Sequence, residues 1–510
     1  MVFSSVVFLW VLFPMILGCY YISPRAVRNG LLMVFSLFFY AWGEPKYIVL
    51  MLISVLINYV FGLLMEAYGK KRWLLSVCVA LNLLILGYFK YYNFIADTIN
   101  TLWGGILSAG ETGGAVSGAV PVLLPVKQVA LPIGISFYTF QALSYVVDVY
   151  RGENKAQRNL VNMMLYISFF PQLIAGPIVK YHDIEQQMDS RQVTADGFCY
   201  GVKRFIIGLG KKVILANSFA EVVDTVWGYQ AQDVSSPLLW MTALLYMMQI
   251  YFDFSGYSDM AIGLGKMFGF TFNENFLLPY TATSIRDFWR KWHISLSSWF
   301  REYVYIPLGG NRKGTVRTYV NLGIVFLLTG IWHGAGWTFV LWGLYHGLLQ
   351  VAERLLDGRR KKAEERRENM RNRRVAAPTT GDERNRAGVG EIARKLAAHL
   401  YTLIAVYFGW ILFRAEEISL ASEFIRSMFV PHEAMVTMAR FMDVKMWGLL
   451  LIAVLACGPA QRLWERIRGK KIASDSHITF PALAGYLAVL WISILLLVNN
   501  TYNPFIYFRF

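Results

Sequence analysis

The chain has 510 residues, of which 56% are hydrophobic and only 16% charged, with a mean hydropathy of +0.42. These values lie far from the soluble average and exclude a soluble enzyme with a conventional core; they describe a polytopic membrane protein. The formal charge of +16 is spread over short loops between apolar segments. That distribution excludes a basic nucleic-acid-binding face and gives the charge a topological role, with attraction to anionic lipid second.

In chain order, apolar runs predict spans near residues 3 to 22, 30 to 43, 47 to 65, 73 to 95, 131 to 149, 160 to 178, 237 to 254, 316 to 333, 337 to 356, 396 to 413, 446 to 460 and 479 to 498. Several are at or below the roughly 20 residues a helical crossing needs, so about nine to eleven transmembrane helices are expected. The first run lacks a cationic start and a small-residue cleavage site and reads as a retained span. Basic residues cluster at Arg25 and Arg28, at Lys70, Lys71 and Arg72, at Arg151, Lys155 and Arg158, and across 359 to 388. By the positive-inside rule these loops are cytoplasmic and the first span starts outside.

Between the spans, Thr101 to Val126 is Gly-rich and reads as an outer loop, and His182 to Asp196 as a polar loop. Segments 200 to 220 and 284 to 310 mix cations with aromatics and suit interfacial or re-entrant helices. The organisation expected is a membrane core over 1 to 356, a basic flexible cytoplasmic loop over 357 to 395 and further spans of the same domain over 396 to 510. No soluble interval is long or apolar enough to hold a catalytic core, so chemistry must take place in the membrane body. The four cysteines form no CxxC pair and read as packed thiols, with Cys199 as a weaker candidate for an acyl carrier. No internal repeat points to a transporter of inverted halves.

Three blocks carry the chemistry. In the first, Asp253 and Asp259 lie in YFDFSGYSDMAIGLGKMFGF; such acids either bond neighbouring helices or orient an imidazole or guanidinium. In the second, SIRDFWRKWHISLSSWFREYVYIPLGG, the cations Arg286, Arg290 and Lys291 alternate with Trp292 and other aromatics around His293. This is either an interfacial helix with snorkelling cations, or a site where cations meet the phosphates of an anionic donor and aromatics line its passage. The third is GIWHGAGW, in which Trp332 and Trp337 flank His333 among glycines. A helix from Arg317 would place His333 roughly 24 Å along its axis. An imidazole in such a dry site is a candidate general base, and His346 reads as a packing or supporting residue. No HExxH or close histidine cluster suggests a metal, so no metal centre is expected.

These blocks, with LPIGISFYTFQALSYVVDVYRG and PQLIAGPIVKY, occur in an order that resembles the membrane-bound O-acyltransferase (MBOAT) family, in the subgroup of alginate O-acetylation proteins. The resemblance runs from the first span to about residue 356. It implies an all-α polytopic bundle around a tunnel in the cell (plasma or inner) membrane, with re-entrant helices. The family's invariant histidine falls on His333 and its second histidine position on His293. The expected donor is a cytoplasmic thioester such as acetyl-CoA, with no bound cofactor. The expected acceptors are an exported polysaccharide and an SGNH-like or alginate-acetylase-like extracytoplasmic partner. Indole N–H groups of Trp332 or Trp337 and amides near Gly334 are candidate oxyanion donors. D-alanyl transfer to teichoic acid and peptidoglycan O-acetylation remain alternatives, as do a transporter and a non-catalytic scaffold.

Overall fold

The computed structural model describes residues 2–110, 122–127, 129–174, 176–373, 381–461, 463 and 479–499. The described residues form helices and no strand, apart from one isolated bridge between Val234 and Val436. The first half contributes α1 (Phe13–Ile22), α2 (Arg28–Gly43), α3 (Ile48–Ala67), α4 (Arg72–Leu86), α5 (Tyr92–Gly110), α6 (Ile135–Arg151), α7 (Leu160–Ser168), α8 (Phe170–Leu173), α9 (Tyr181–Ser190), α10 (Ala195–Gly210) and α11 (Asn217–Trp227). The second contributes α12 (Ser236–Met267), α13 (Ile285–Lys291), α14 (Ile294–Phe300), α15 (Thr315–His333), α16 (Trp337–Arg373), α17 (Gly381–Arg414), α18 (Ile418–Phe429), α19 (Val444–Ala456) and α20 (Phe480–Asn499).

Among the described residues six helical segments are long and apolar enough to cross a membrane, and Phe8–Ile22 and Val444–Ala456 are shorter apolar helices. Their lipid-side positions carry exposed Trp, Val, Ile and Leu, as expected where hydrocarbon replaces water. Elsewhere the bundle is more broken than apolar runs suggest. The segment expected to cross at 160 to 178 divides at Phe169, because Pro171 has no N–H to offer the preceding turn. Gln172 Nε2 donates instead to the Tyr166 carbonyl that the break leaves open. The outer loop expected from Thr101 is helical to Gly110, with residues 111 to 121 outside the described set. Around the basic loop expected at 357 to 395, α16 extends to Arg373 and α17 begins at Gly381, with 374 to 380 outside that set.

At the centre, α12 is buried on nearly every side. It crosses α10 with backbones in contact: a Cβ on Gly201 would lie 2.6 Å from the Gly263 carbonyl oxygen, and one on Gly208 2.5 Å from that of Gly256. That approach brings the charges of the two segments together. Lys212 Nζ reaches Asp253 at 2.7 Å, while Asp259 takes Arg204 at 2.6 Å and Lys211 at 2.7 Å. Each buried charge thus has a partner, and removing one partner alone would cost about 3–5 kcal/mol.

Arg151, Arg158 and Lys180 share one face, the basic face, with Glu66 and Glu302. Arg158 pairs with Glu66 at 3.3 Å, Lys180 with Glu302 at 2.8 Å, and Arg151 Nη2 donates to the Glu302 carbonyl at 2.9 Å. Beside them, fully buried Asp148 accepts from Tyr303 Oη at 2.8 Å and meets His182 Nδ1 at 3.0 Å. This hydrogen bond raises the His182 pKa above 6.5. The raised value makes the pair's contribution full below the unfolded pKa and lost as pH rises through the folded one. Thermal unfolding of wild type and His182→Gln in detergent should therefore differ most below the ordinary histidine pKa and converge as pH rises through the raised one.

Candidate active site

Two glycines build the hairpin that carries His333. A Cβ on Gly330 would lie 2.3 Å from the Phe339 carbonyl oxygen, and one on Gly343 2.4 Å from that of Phe326, so α15 and α16 touch backbone to backbone. The chain leaves α15 through extended Gly334 and re-enters helix at Trp337. The crossing sets Trp342 of α16 against His333, with ring centroids 4.9 Å apart, and Phe413 of α17 closes another side at 5.4 Å. His333 is 5% exposed. Its Nδ1 lies 2.7 Å from the Thr329 carbonyl, which can only accept, so Nδ1 carries the proton and Nε2 the lone pair.

The carbonyl end of α15 is held by α4 and α5. Between them a π turn, Gly87–Tyr91, carries Lys90 and Tyr91. Lys90 Nζ donates to the Trp332 carbonyl at 2.5 Å and the His333 carbonyl at 3.3 Å, and Tyr91 Oη donates to the Ile331 carbonyl at 2.7 Å. A cation is the appropriate cap for the negative end of a helix dipole. Replacing Lys90 by Met keeps the length and removes the donor, leaving two carbonyls open beside the imidazole. Transfer by the Lys90→Met protein, measured at matched insertion, should fall ~10–100-fold with the KM for the acyl donor little changed.

His293 caps the N-terminus of α14 in a left-handed conformation, φ 44°, unusual for a residue with a side chain. Asn275 holds it there. The Asn275 backbone carbonyl accepts from Ile294 N at 3.0 Å, and its Oδ1 accepts from Ser295 Oγ at 2.9 Å and faces His293 Nδ1 at 3.2 Å. With Nδ1 donating to that oxygen, His293 also presents Nε2 as a lone pair. The ring is fully buried and stands 6.5 Å, centroid to centroid, from that of His333. His293 Nε2, Trp332 Nε1 and Trp342 Nε1 are buried without a hydrogen-bond partner among the described residues, and all three rings neighbour His333. Buried polar atoms are normally satisfied. Three such atoms round one imidazole leave its surroundings rich in open polar groups.

Two cavities lie along the C-terminal half of α15, one lined by its residues up to Thr329 and the other by Trp332 and His333. The first, about 500 Å³, is lined by Arg286, Arg290, Arg301 and Arg354 together with Trp289, Val325, Phe326 and Thr329. In its wall Tyr305 and Arg354 both donate to Asn311, and the π turn Arg301–Tyr305 also carries Glu302, the partner of Lys180. The second, about 80 Å³, is lined by His333, Trp332, Lys90 and Ser136 with the N-terminal turn of α6. Between Thr329 and His333 the helix rises only ~6 Å.

The other expected site residues fall as follows. Arg286 lines the larger cavity and pairs with Asp357 at 2.9 Å, and Arg290 lines it in the open. Lys291 turns to Asp287 at 2.7 Å, outside that cavity's lining. Trp292 packs under the site, 4.9 Å from the Trp410 ring. Trp337 is corrected: it is 52% exposed and packs on Phe94, because the turn at Gly334 directs it outward, and Trp342 takes the place beside His333. Asp253 and Asp259 bind Lys212, Lys211 and Arg204, so the group oriented is a guanidinium or ammonium rather than an imidazole. His346 is buried against Trp342 and receives Trp289 Nε1 at 3.4 Å. Cys78 and Cys457 are buried; Cys19 and Cys199 are exposed, and Cys199 lines neither cavity of the site. Among the described residues one trio, Asp148, Glu153 and His182, has the spacing of metal ligands. It lies on the basic face, away from His333. Lys90, Asn275, Trp342 and Arg354 were missed. Of these only Lys90, a lone cation inside an apolar run, carried a signal in the sequence.

A family model for the membrane-bound O-acyltransferase family, MBOAT, matches residues 150–372, the interval that contains both histidines and the larger cavity. The chain is 38% identical to "Probable alginate O-acetylase AlgI" of Azotobacter vinelandii over 100% of both proteins. It is 41% identical to the Pseudomonas aeruginosa protein of that name over 84% of this chain and 75% of the relative. It is also 34% identical to "Peptidoglycan O-acetyltransferase" of Helicobacter pylori over 84% of this chain and 80% of the relative. Full-length similarity, an all-helical membrane bundle and a buried histidine pair converge: the chain belongs to the membrane-bound O-acyltransferase family and is a multi-pass membrane O-acyltransferase.

Proposed function

We propose that the protein takes an acyl group, acetyl, from a cytoplasmic acyl-CoA at the basic face and delivers it through the membrane body to hydroxyls of an exported polysaccharide, with His333 as general base. The observation that supports this reading is the position of His333: its Nδ1 is fixed on the Thr329 carbonyl, its Nε2 has no partner among the described residues, and it lines the smaller cavity one helical turn from Thr329, which lines the cationic one. The inner membrane is the compartment this topology fits, with the basic face toward the cytoplasm.

The arginines of the larger cavity suit the phosphates of a coenzyme A donor, and its apolar throat suits the pantetheine arm. In the reaction, His333 Nε2 removes the proton of the acceptor hydroxyl as its oxygen adds to the thioester carbonyl. The C–S bond then breaks, and the imidazolium returns the proton to the departing thiolate. Trp332 and Trp342 indoles are the nearest uncommitted donors for the intermediate's oxyanion. On the far side, Lys90 and the first turn of α6 give the smaller cavity a positive potential, which favours the alkoxide. An extracytoplasmic SGNH-like or alginate-acetylase-like protein would receive the group there and complete transfer to glycan. No metal takes part.

Similarity to an alginate O-acetylase over the whole chain favours a polysaccharide acceptor, while the peptidoglycan relative keeps peptidoglycan as a second reading. Purified protein in detergent together with its extracytoplasmic partner, given labelled acetyl-CoA, a longer acyl-CoA or a D-alanyl thioester with an extracted exported glycan or peptidoglycan, discriminates these readings. Acetyl transfer to the glycan should dominate. Selective use of the D-alanyl thioester, or of peptidoglycan, would replace this assignment.

A further inference from the structure

A second polar cavity, about 960 Å³, opens on the basic face where α1 ends and α2 begins. It is lined by Arg25, Arg28 and Arg191 against a single carboxylate, Asp189. The guanidinium carbons of Arg28 and Arg191 lie 4.9 and 5.8 Å from the centroid of one ring, that of Tyr20, so two like charges are held over the same side chain. Neither has an acidic partner among the described residues. Arg28 Nε donates to the Ser23 carbonyl at 3.1 Å, and its terminal nitrogens have no acceptor. Arg191 is fixed by the Asn29 side chain at 2.6 Å, by the Tyr20 hydroxyl at 3.2 Å and by the carbonyls of Phe268 and Met188, both at 3.1 Å. Asp189 Oδ1 accepts from Asn162 at 3.2 Å. Arg25 is exposed and makes no side-chain bond among the described residues. The N-terminus of α2, which has no side-chain cap, adds its positive end.

Neutral hydrogen bonds have thus positioned cations that outnumber the one carboxylate lining the cavity and have no ion-pair partner among the described residues, the condition in which an anion is bound. The rim decides which anion. Ile22 is 87% exposed, Val27 50% and Val34 59%, all apolar surface facing the membrane beside the cavity. We infer that this is a site for the phosphate headgroup of an anionic phospholipid of the inner leaflet, with the acyl chains lying along α1 and α2. It shares no residue with either cavity at His333 and stands independently of the reaction assigned there.

The test uses the full-length protein in neutral detergent, titrated with phosphatidylglycerol, with phosphatidylcholine or with inorganic phosphate, and follows thermal unfolding. Phosphatidylglycerol should raise the midpoint saturably by a few degrees, and the other two should not. Arg25→Gln/Arg28→Gln should weaken that response ~10–100-fold while unliganded stability and acyl transfer stay near wild type. Arg25→Gln alone serves if the double variant does not fold, with a smaller loss expected. Equal shifts from phosphatidylcholine, or an undiminished phosphatidylglycerol shift in the variant, would overturn the site. The same saturable shift from inorganic phosphate would overturn its assignment to a lipid.

Discussion

His333→Ala and His333→Gln should each lower acyl transfer by about 10³-fold, within the range a positioned general base supplies. Gln is the informative variant, because its side-chain amide can still donate to the Thr329 carbonyl that His333 occupies at 2.7 Å, yet offers no basic nitrogen. The hairpin depends on the contact between Gly330 and Gly343, which neither substitution alters. Equal losses of kcat in the two proteins, at matched insertion and unchanged donor KM, would identify a group acting in the transition state. Retained activity in the Gln protein would limit the residue to packing and require another base; His293, with its own free Nε2, is the one at hand.

The next largest effect is expected at the cationic cavity. Of its four arginines, Arg286 pairs with Asp357 and Arg354 donates to Asn311, whereas Arg290 and Arg301 have no acidic partner among the described residues. Those two are available for donor phosphates. Arg290→Glu/Arg301→Glu should raise the KM for acetyl-CoA by ~30–100-fold with kcat within ~3-fold, since charge at the mouth is felt equally in the ground and transition states. Both arginines are exposed, so the effect should shrink as salt shortens the screening length to below ~10 Å. A loss confined to kcat would place these arginines in the architecture of the site instead of in donor capture.

Hydrophobic runs made most of the bundle legible in the sequence, because a lipid-facing helix must be apolar along its length. The exception at 160 to 178 shows the limit of that signal: Phe169, Phe170 and Pro171 are as apolar as their neighbours, and only the missing N–H of Pro171 distinguishes a break from a crossing. His333 was legible as a polar side chain ending an uncharged helix. Adjacency to His333 in sequence does not bring Trp337 to it in space; the turn at Gly334 carries Trp337 outward, and the glycine crossing brings Trp342 back. Lys90 and Asn275 act across the fold, on carbonyls about 240 residues later and on a turn 18 residues later, and periodicity carries no trace of such pairings. The acids Asp253 and Asp259 were visible as costly charges, but their partners became apparent only once the glycine pairs fixed how α10 and α12 cross.

The central claim, that an acyl group enters from the basic face and leaves beyond His333, is tested most directly in proteoliposomes of known orientation with labelled acetyl-CoA on one side and glycan with its extracytoplasmic partner on the other. Label should reach the far side when the thioester is supplied at the face carrying Arg290 and Arg301. It should fail to do so from the opposite face, and from either face with His333→Gln. Transfer that is independent of the side of supply, or that persists at wild-type rate without the imidazole, would contradict the account.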